Sequence, residues 1–201
     1  MIKFWTLILN AIILLGSCNF DKTTSHKNSL DKNSNTKLLP SFSEPNSGFG
    51  ANKILLNSTV KRYFSNKKFK DTFTISIQGS TILSGSVIFK IENSKGNLLL
   101  LEKYPSKYLI GYALDDKASV KQQEEYIKKR VKEFLLPEKF TSPAIPNSMI
   151  FDNDYSDKLI WDEIKMNQSS IGFNYLIGEE KNCSIAFSSK FNTVVEYFCC
   201  C

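Results

Sequence analysis

Residues 183–199 read CSIAFSSKFNTVVEYFC. Cys183, Ile185 and Phe187 alternate with Ser184, Ala186 and Ser188, the period of a strand with one face buried. Val195, Tyr197 and Cys199 repeat that period beyond Lys190-Phe191-Asn192. A hairpin with a three-residue loop at 190–192 pairs 187 with 195, 185 with 197 and 183 with 199, and all six side chains then share one face. This register sets Cys183 opposite Cys199, within reach of a disulfide.

Upstream of the hairpin the pattern predicts an antiparallel meander over about 72–104. Phe73, Ile75 and Ile77 alternate with Thr74, Ser76 and Gln78, and Val87, Phe89 and Ile91 alternate with Ser86, Lys90 and Glu92. NSKGN at 93–97 is a turn signal, and Leu98 to Tyr104 reads as a more fully buried strand. Two helices are expected between the meander and the hairpin. The longer, 119–136, opens at Ser119 with Gln122 as capping-box partner, buries a stripe of Val120, Ile127, Val131 and Phe134, and stops at Leu136-Pro137. The shorter, 157–166, buries Ile160, Trp161 and Ile164. Strands, helices, then strands make an α+β fold. Residues 51–201 are enough for one domain with one core.

The chain has 201 residues, a net charge of +6 and one histidine, His26. A domain without histidine excludes Ser-His-Asp and Cys-His catalysis and histidine-based zinc sites. The charge is uneven. Residues 19–71 hold ten Lys/Arg against four Asp/Glu, whereas residues 72–201 hold fifteen against sixteen. The basic excess lies in the tether and its end, ahead of a near-neutral stretch from residue 72 onward, so no nucleic-acid partner is expected. Its sharpest cluster is KRYFSNKKFKD, residues 61–71, in which Lys61, Arg62, Lys67, Lys68 and Lys70 interleave with Tyr63, Phe64 and Phe69. Such interleaving suits nucleic acid or an anionic membrane surface. Leu56, Val60 and Phe64 recur every fourth residue, and the favoured reading is the solvated face of a docking helix.

Other motifs carry less. Ser-x-x-Lys occurs at Ser29–Lys32, Ser34–Lys37 and Ser65–Lys68, all in Ser/Lys-rich sequence. Asp115-Asp116 and Glu179-Glu180 are adjacent carboxylates, which does not give the facing pair that glycoside hydrolysis needs. In DNDYSDKLIWDE, Asp152, Asp154, Ser156 and Glu163 fall at positions one, three, five and twelve of a calcium loop, but Asp157 replaces the glycine at position six. The plainer reading is a polar loop that caps the Trp161 helix. No cofactor and no metal site are expected. Cys200 and Cys201 have no assigned partner, and three consecutive thiolates converge poorly on one metal.

The amino-terminal stretch carries the address. Lys3 is the only charge before Asp21, residues 4–15 are apolar except for Thr6 and Asn10, and Leu15-Gly16-Ser17-Cys18 closes the run. A run of about a dozen apolar residues is a secretory signal rather than a span, which needs ~20. Leu15-Gly16-Ser17-Cys18 resembles the lipobox of bacterial lipoproteins. The resemblance implies that Cys18 is alkylated with diacylglycerol, that residues 1–17 are removed, and that the membrane is a partner through lipid on Cys18. Residues 18–50, rich in Lys, Asn, Ser and Thr, read as a lipidated cysteine and a disordered tether. Asn19 in place of Asp leans toward the outer rather than the inner membrane of a cell that has both. The expected role is an envelope lipoprotein with a non-catalytic binding or scaffolding domain, whose partner would be an envelope protein. The alternatives are an exported hydrolase using carboxylates or serine-lysine, and a toxin-neutralising or enzyme-inhibiting lipoprotein.

Overall fold

The structure, a computed structural model, describes residues 53–178 and 180–200. Cys18, His26, Glu179 and Cys201 lie outside them, as do Ser29–Lys32 and Ser34–Lys37. Two four-stranded antiparallel sheets and two α-helices form an α+β fold. The first sheet runs in chain order: β1 (Ile54–Tyr63), β2 (Lys70–Gln78), β3 (Ser86–Glu92) and β4 (Leu98–Pro105). After α1 (Val120–Glu133), β5 (Phe140–Thr141) begins the second sheet. That sheet continues, past α2 (Lys158–Met166), with β6 (Gly172–Ile177), β7 (Lys181–Ser188) and β8 (Thr193–Cys200).

The meander buries the expected residues. Phe73, Ile75, Ile77, Val87, Phe89 and Ile91 are inaccessible to solvent. Two expectations change. Residues 54–63 are the first strand of the meander, not a docking helix. Leu56, Val60 and Phe64 also share one face of a strand, since a spacing of four is a multiple of the strand period of two. Second, β4 is an edge strand rather than a doubly buried one. Leu100 and Tyr104 face inward, while Leu98 and Leu101 are more than half exposed.

Both sheets contribute to one core, with aromatic rings at its centre. Phe73 and Phe89 from the first sheet meet Phe173 from the second with ring centres 5.4 and 5.5 Å apart. Phe134, just past α1, completes the cluster, with Phe89 5.2 Å away. Ser119 caps α1 through the expected capping box with Gln122. Ile127 and Val131 are buried, but Val120 at the first turn is exposed and leaves the predicted stripe.

The second sheet has two buried faces. Phe173, Tyr175, Cys183, Ile185 and Val194 face the main core. Ala186, Val195 and Tyr197 face a smaller core closed by Ile160, Trp161 and Ile164 of α2. Asp157 starts α2 by accepting the backbone N–H groups of Leu159 and Ile160. The hairpin register is therefore not the one expected. Phe187 pairs with Val194 and Ser188 with Thr193, so the loop is 189–192, with Asn192 in the left-handed region at φ 53°. A bulge then adds one residue between the Ile185–Glu196 and Ser184–Phe198 pairs. Val195 and Tyr197 consequently turn away from Cys183, Ile185 and Phe187. The two offsets cancel at the far end, where Cys183 does face Cys199.

Candidate functional site

An open cleft of about 590 Å³ lies between the segment following β4, the start of α1 and the β6–β7 turn. Lys107, Tyr108, Asp115, Asp116, Gln123 and Gly178 supply its polar lining. The wall is locally ordered. Gly178 donates its N–H to the Tyr108 carbonyl at 2.9 Å and adopts φ 68°, where a side chain would be strained. Asp115 Oδ1 accepts the Lys117 N–H at 2.8 Å, and Gln123 Nε2 donates to the Ala118 carbonyl at 2.8 Å. Asp115 and Asp116 are consecutive in the chain, and both line the cleft. The cleft offers cationic, anionic and aromatic contacts to a ligand, but not two carboxylates placed across a scissile bond.

The remaining sequence candidates are dispersed. Glu180 is exposed on the β6–β7 turn. Asp152 and Asp154 are exposed, and Asp152 Oδ1 accepts the Asp154 N–H at 2.9 Å. Glu163 sits in α2 with its Oε1 3.5 Å from the Lys190 N–H in the hairpin loop. Its helix begins at Lys158, position seven of the supposed calcium loop, so the carbonyl required of that position is committed to a helical bond. Ser156, Asp152, Asp154 and Glu163 are not gathered into a ligand set. Ser65, from the third Ser-x-x-Lys match, donates both its hydroxyl and its backbone N–H to Asp71.

The structure gathers another polar group that the sequence did not single out. Glu102 points inward from β4 beside Tyr104, and Tyr175 Oη donates to Glu102 Oε1 at 2.7 Å. Glu102 Oε2 and the Tyr104 hydroxyl are buried without hydrogen-bond partners. Burial raises the Glu102 carboxyl above its ordinary value, with Glu196 adding to the rise, while the Tyr175 bond and Lys181 oppose it. Burial and the Glu102 charge push both tyrosine hydroxyls upward as well. This group lies in the core between the sheets and does not line the cleft. Strand alternation was the available signal, since Glu102 shares the inward parity of Leu100 and Tyr104.

Next to it, Cys183 and Cys199 form a disulfide with Cα atoms 4.2 Å apart. Glu196 joins these cysteines in the one trio among the described residues whose ligand atoms lie close enough for a metal. With the two sulfurs bonded to each other, they are not thiolate ligands. Cys200, on the next position of β8, makes no disulfide among the described residues.

Among the described residues no helix is long and apolar enough to cross a membrane. Comparison with protein families, with curated proteins and with solved structures gives no match.

Proposed function

We propose that the chain is a bacterial envelope lipoprotein, anchored through acyl groups on Cys18, whose domain is a binding module. The observation that carries this reading is Leu15-Gly16-Ser17-Cys18 at the end of a short apolar run. On this reading residues 1–17 are a cleaved signal and residues 18–50 a tether. The domain then works at the membrane surface, the outer membrane where the cell has two, and meets an envelope protein. Two features favour binding over hydrolysis. Asp115 and Asp116, the carboxylates that line the cleft, are neighbours in the chain, and Glu102 does not line it. The polar, open cleft at 107–116 is the place for the partner.

The deciding experiment is the intact mass of the protein extracted from membranes, with and without reduction. The expected mass is that of residues 18–201 plus two or three acyl chains, rising by two daltons for each disulfide reduced. An unmodified Cys18 would overturn the anchoring. A photo-crosslinker at Tyr108 tests the binding half. It should capture a discrete envelope protein that the same probe at Met166, exposed on α2, does not. Equal capture at both positions would remove the cleft as the binding site.

A further inference from the structure

We propose that the β1–β2 hairpin tip is a second membrane contact, which docks on anionic phospholipid headgroups. The inference rests on the anchored reading for its orientation and on the structure for its surface. Residues 64–69 join the two strands with Tyr63 opposite Lys70. The tip is held in shape from inside. Asp71 is buried, and its two oxygens accept the Ser65 N–H at 2.5 Å and the Ser65 hydroxyl at 2.9 Å. Asn66 Oδ1 accepts the Lys68 N–H at 2.7 Å, and Phe64 packs edge-on against Phe73 at 5.1 Å. A shape fixed in this way costs little further entropy to dock.

What the tip presents is cationic and apolar together. Phe69 is 57% exposed and Tyr63 45%, and Lys61, Lys67, Lys68 and Lys70 are exposed around them. Arg62 lies over the Phe140 ring and Lys70 over the Tyr63 ring, both at 5.3 Å. Among the described residues, no carboxylate is ion-paired with Lys61, Arg62, Lys67, Lys68 or Lys70, whereas Lys90, Lys128, Lys129 and Lys158 each have one. The acid nearest in sequence, Asp71, is spent on Ser65. Residues 72–201 are close to neutral. The positive charge is thus concentrated at one end of the first sheet, around a protruding phenyl ring. An anionic bilayer fits both features, because it attracts the ammonium groups and accepts the ring at its interface. A convex turn with one projecting ring offers no groove along which a polynucleotide could run.

Reach permits it. The chain enters β1 at Lys53, whose carbonyl accepts the Gly79 N–H at the opposite end of the sheet from the tip. Ten residues of strand separate the two ends by roughly 30 Å. Thirty-five residues lead from Cys18 to Lys53, and on the tether reading a coil of that length would span about 30–35 Å. The domain can therefore turn its basic end back to the surface that holds its anchor.

The test is hydrogen exchange on the full chain as isolated from membranes, reconstituted into phosphatidylcholine vesicles with and without phosphatidylglycerol. Amides of 64–70 should exchange more slowly only with phosphatidylglycerol, and high salt should abolish the difference. Each lysine contributes about fivefold to docking, so K67A/K68A should weaken it roughly thirtyfold and erase the protection. Both side chains are exposed, so the thermal midpoint should not move. Equal exchange in the two vesicle types would overturn the proposal. So would protection by single-stranded RNA on the detergent-solubilised chain without protection by vesicles, which would make the tip a nucleic-acid surface. If the isolated chain carries no acyl groups, the anchor reading fails by mass alone. Flotation of that chain with phosphatidylglycerol vesicles, compared with K67A/K68A, then decides the hairpin separately.

Discussion

Glu102 shows what a single inward carboxylate costs. In the unfolded chain it ionises at the ordinary carboxylate value, whereas in the folded chain burial raises that value. The folded protein therefore holds a proton that the unfolded chain has already released. Stability is full below the ordinary value and declines as pH rises toward the raised one. Glu102→Gln keeps an oxygen to accept the Tyr175 hydroxyl and removes the charge. Urea midpoints measured from the acid side of the carboxylate range to neutrality should fall for the natural chain and stay flatter for Glu102→Gln. The variant should then be the more stable at neutral pH. Parallel profiles would mean that Glu102 is solvated in the folded protein. At this scale the sequence had the right parity for Glu102 but gave no partner, because Tyr175 is 73 residues away and in the other sheet.

At the scale of elements, the hairpin shows why some predictions succeed for incomplete reasons. The alternation of Cys183, Ile185 and Phe187 was legible, and so was the Cys183–Cys199 pair. The bulge beside Tyr197 was not, because both faces of β8 are apolar when α2 covers the second one. Once both faces are buried, alternation no longer distinguishes them. β1 is ambiguous for a related reason, its fourth-residue spacing fitting helix and strand alike. β6, GFNYLI, lacks the strict alternation that marks a half-buried strand. Gly172 at its start leaves room for Tyr197, since a Cβ there would lie 2.6 Å from the Tyr197 hydroxyl. The two helices, by contrast, carry local signals: the Ser119–Gln122 capping box ahead of α1, and ahead of α2 a polar loop with Asp154, Ser156 and Asp157 as candidate caps, of which the structure uses Asp157. The disulfide belongs to this scale. It closes a short loop in a hairpin that is already paired, so its contribution should reach at most ~3 kcal/mol. Reduction should lower the urea midpoint without loss of strand signal, and a non-reduced digest should yield the Cys183–Cys199 peptide. A midpoint indifferent to reductant would mean that the bridge adds nothing to the hairpin's own hydrogen bonds.

For the whole molecule, the central question is whether its two cores are one cooperative unit. The main core joins the sheets and the small core joins the second sheet to α2, yet β7 and β8 serve both. Ile185 faces one core and its neighbour Ala186 the other, and Val194 and Val195 divide in the same way. Loss of either core withdraws packing from strands the other requires, so the two should unfold together. Trp161 makes this measurable. It is 2% exposed in the small core, and Trp5 is the chain's one other tryptophan. In a chain cut before Cys18, fluorescence reports the surroundings of Trp161 on α2, while far-ultraviolet circular dichroism reports the sheets and α1 as well. The two urea transitions should coincide. Ile164→Ala, which opens a cavity beside Trp161, should cost about 2–5 kcal/mol and shift both transitions equally. A fluorescence transition that precedes the dichroic one would make α2 a separable layer over a sandwich stable without it. The shared faces of β7 and β8 would then not couple the cores.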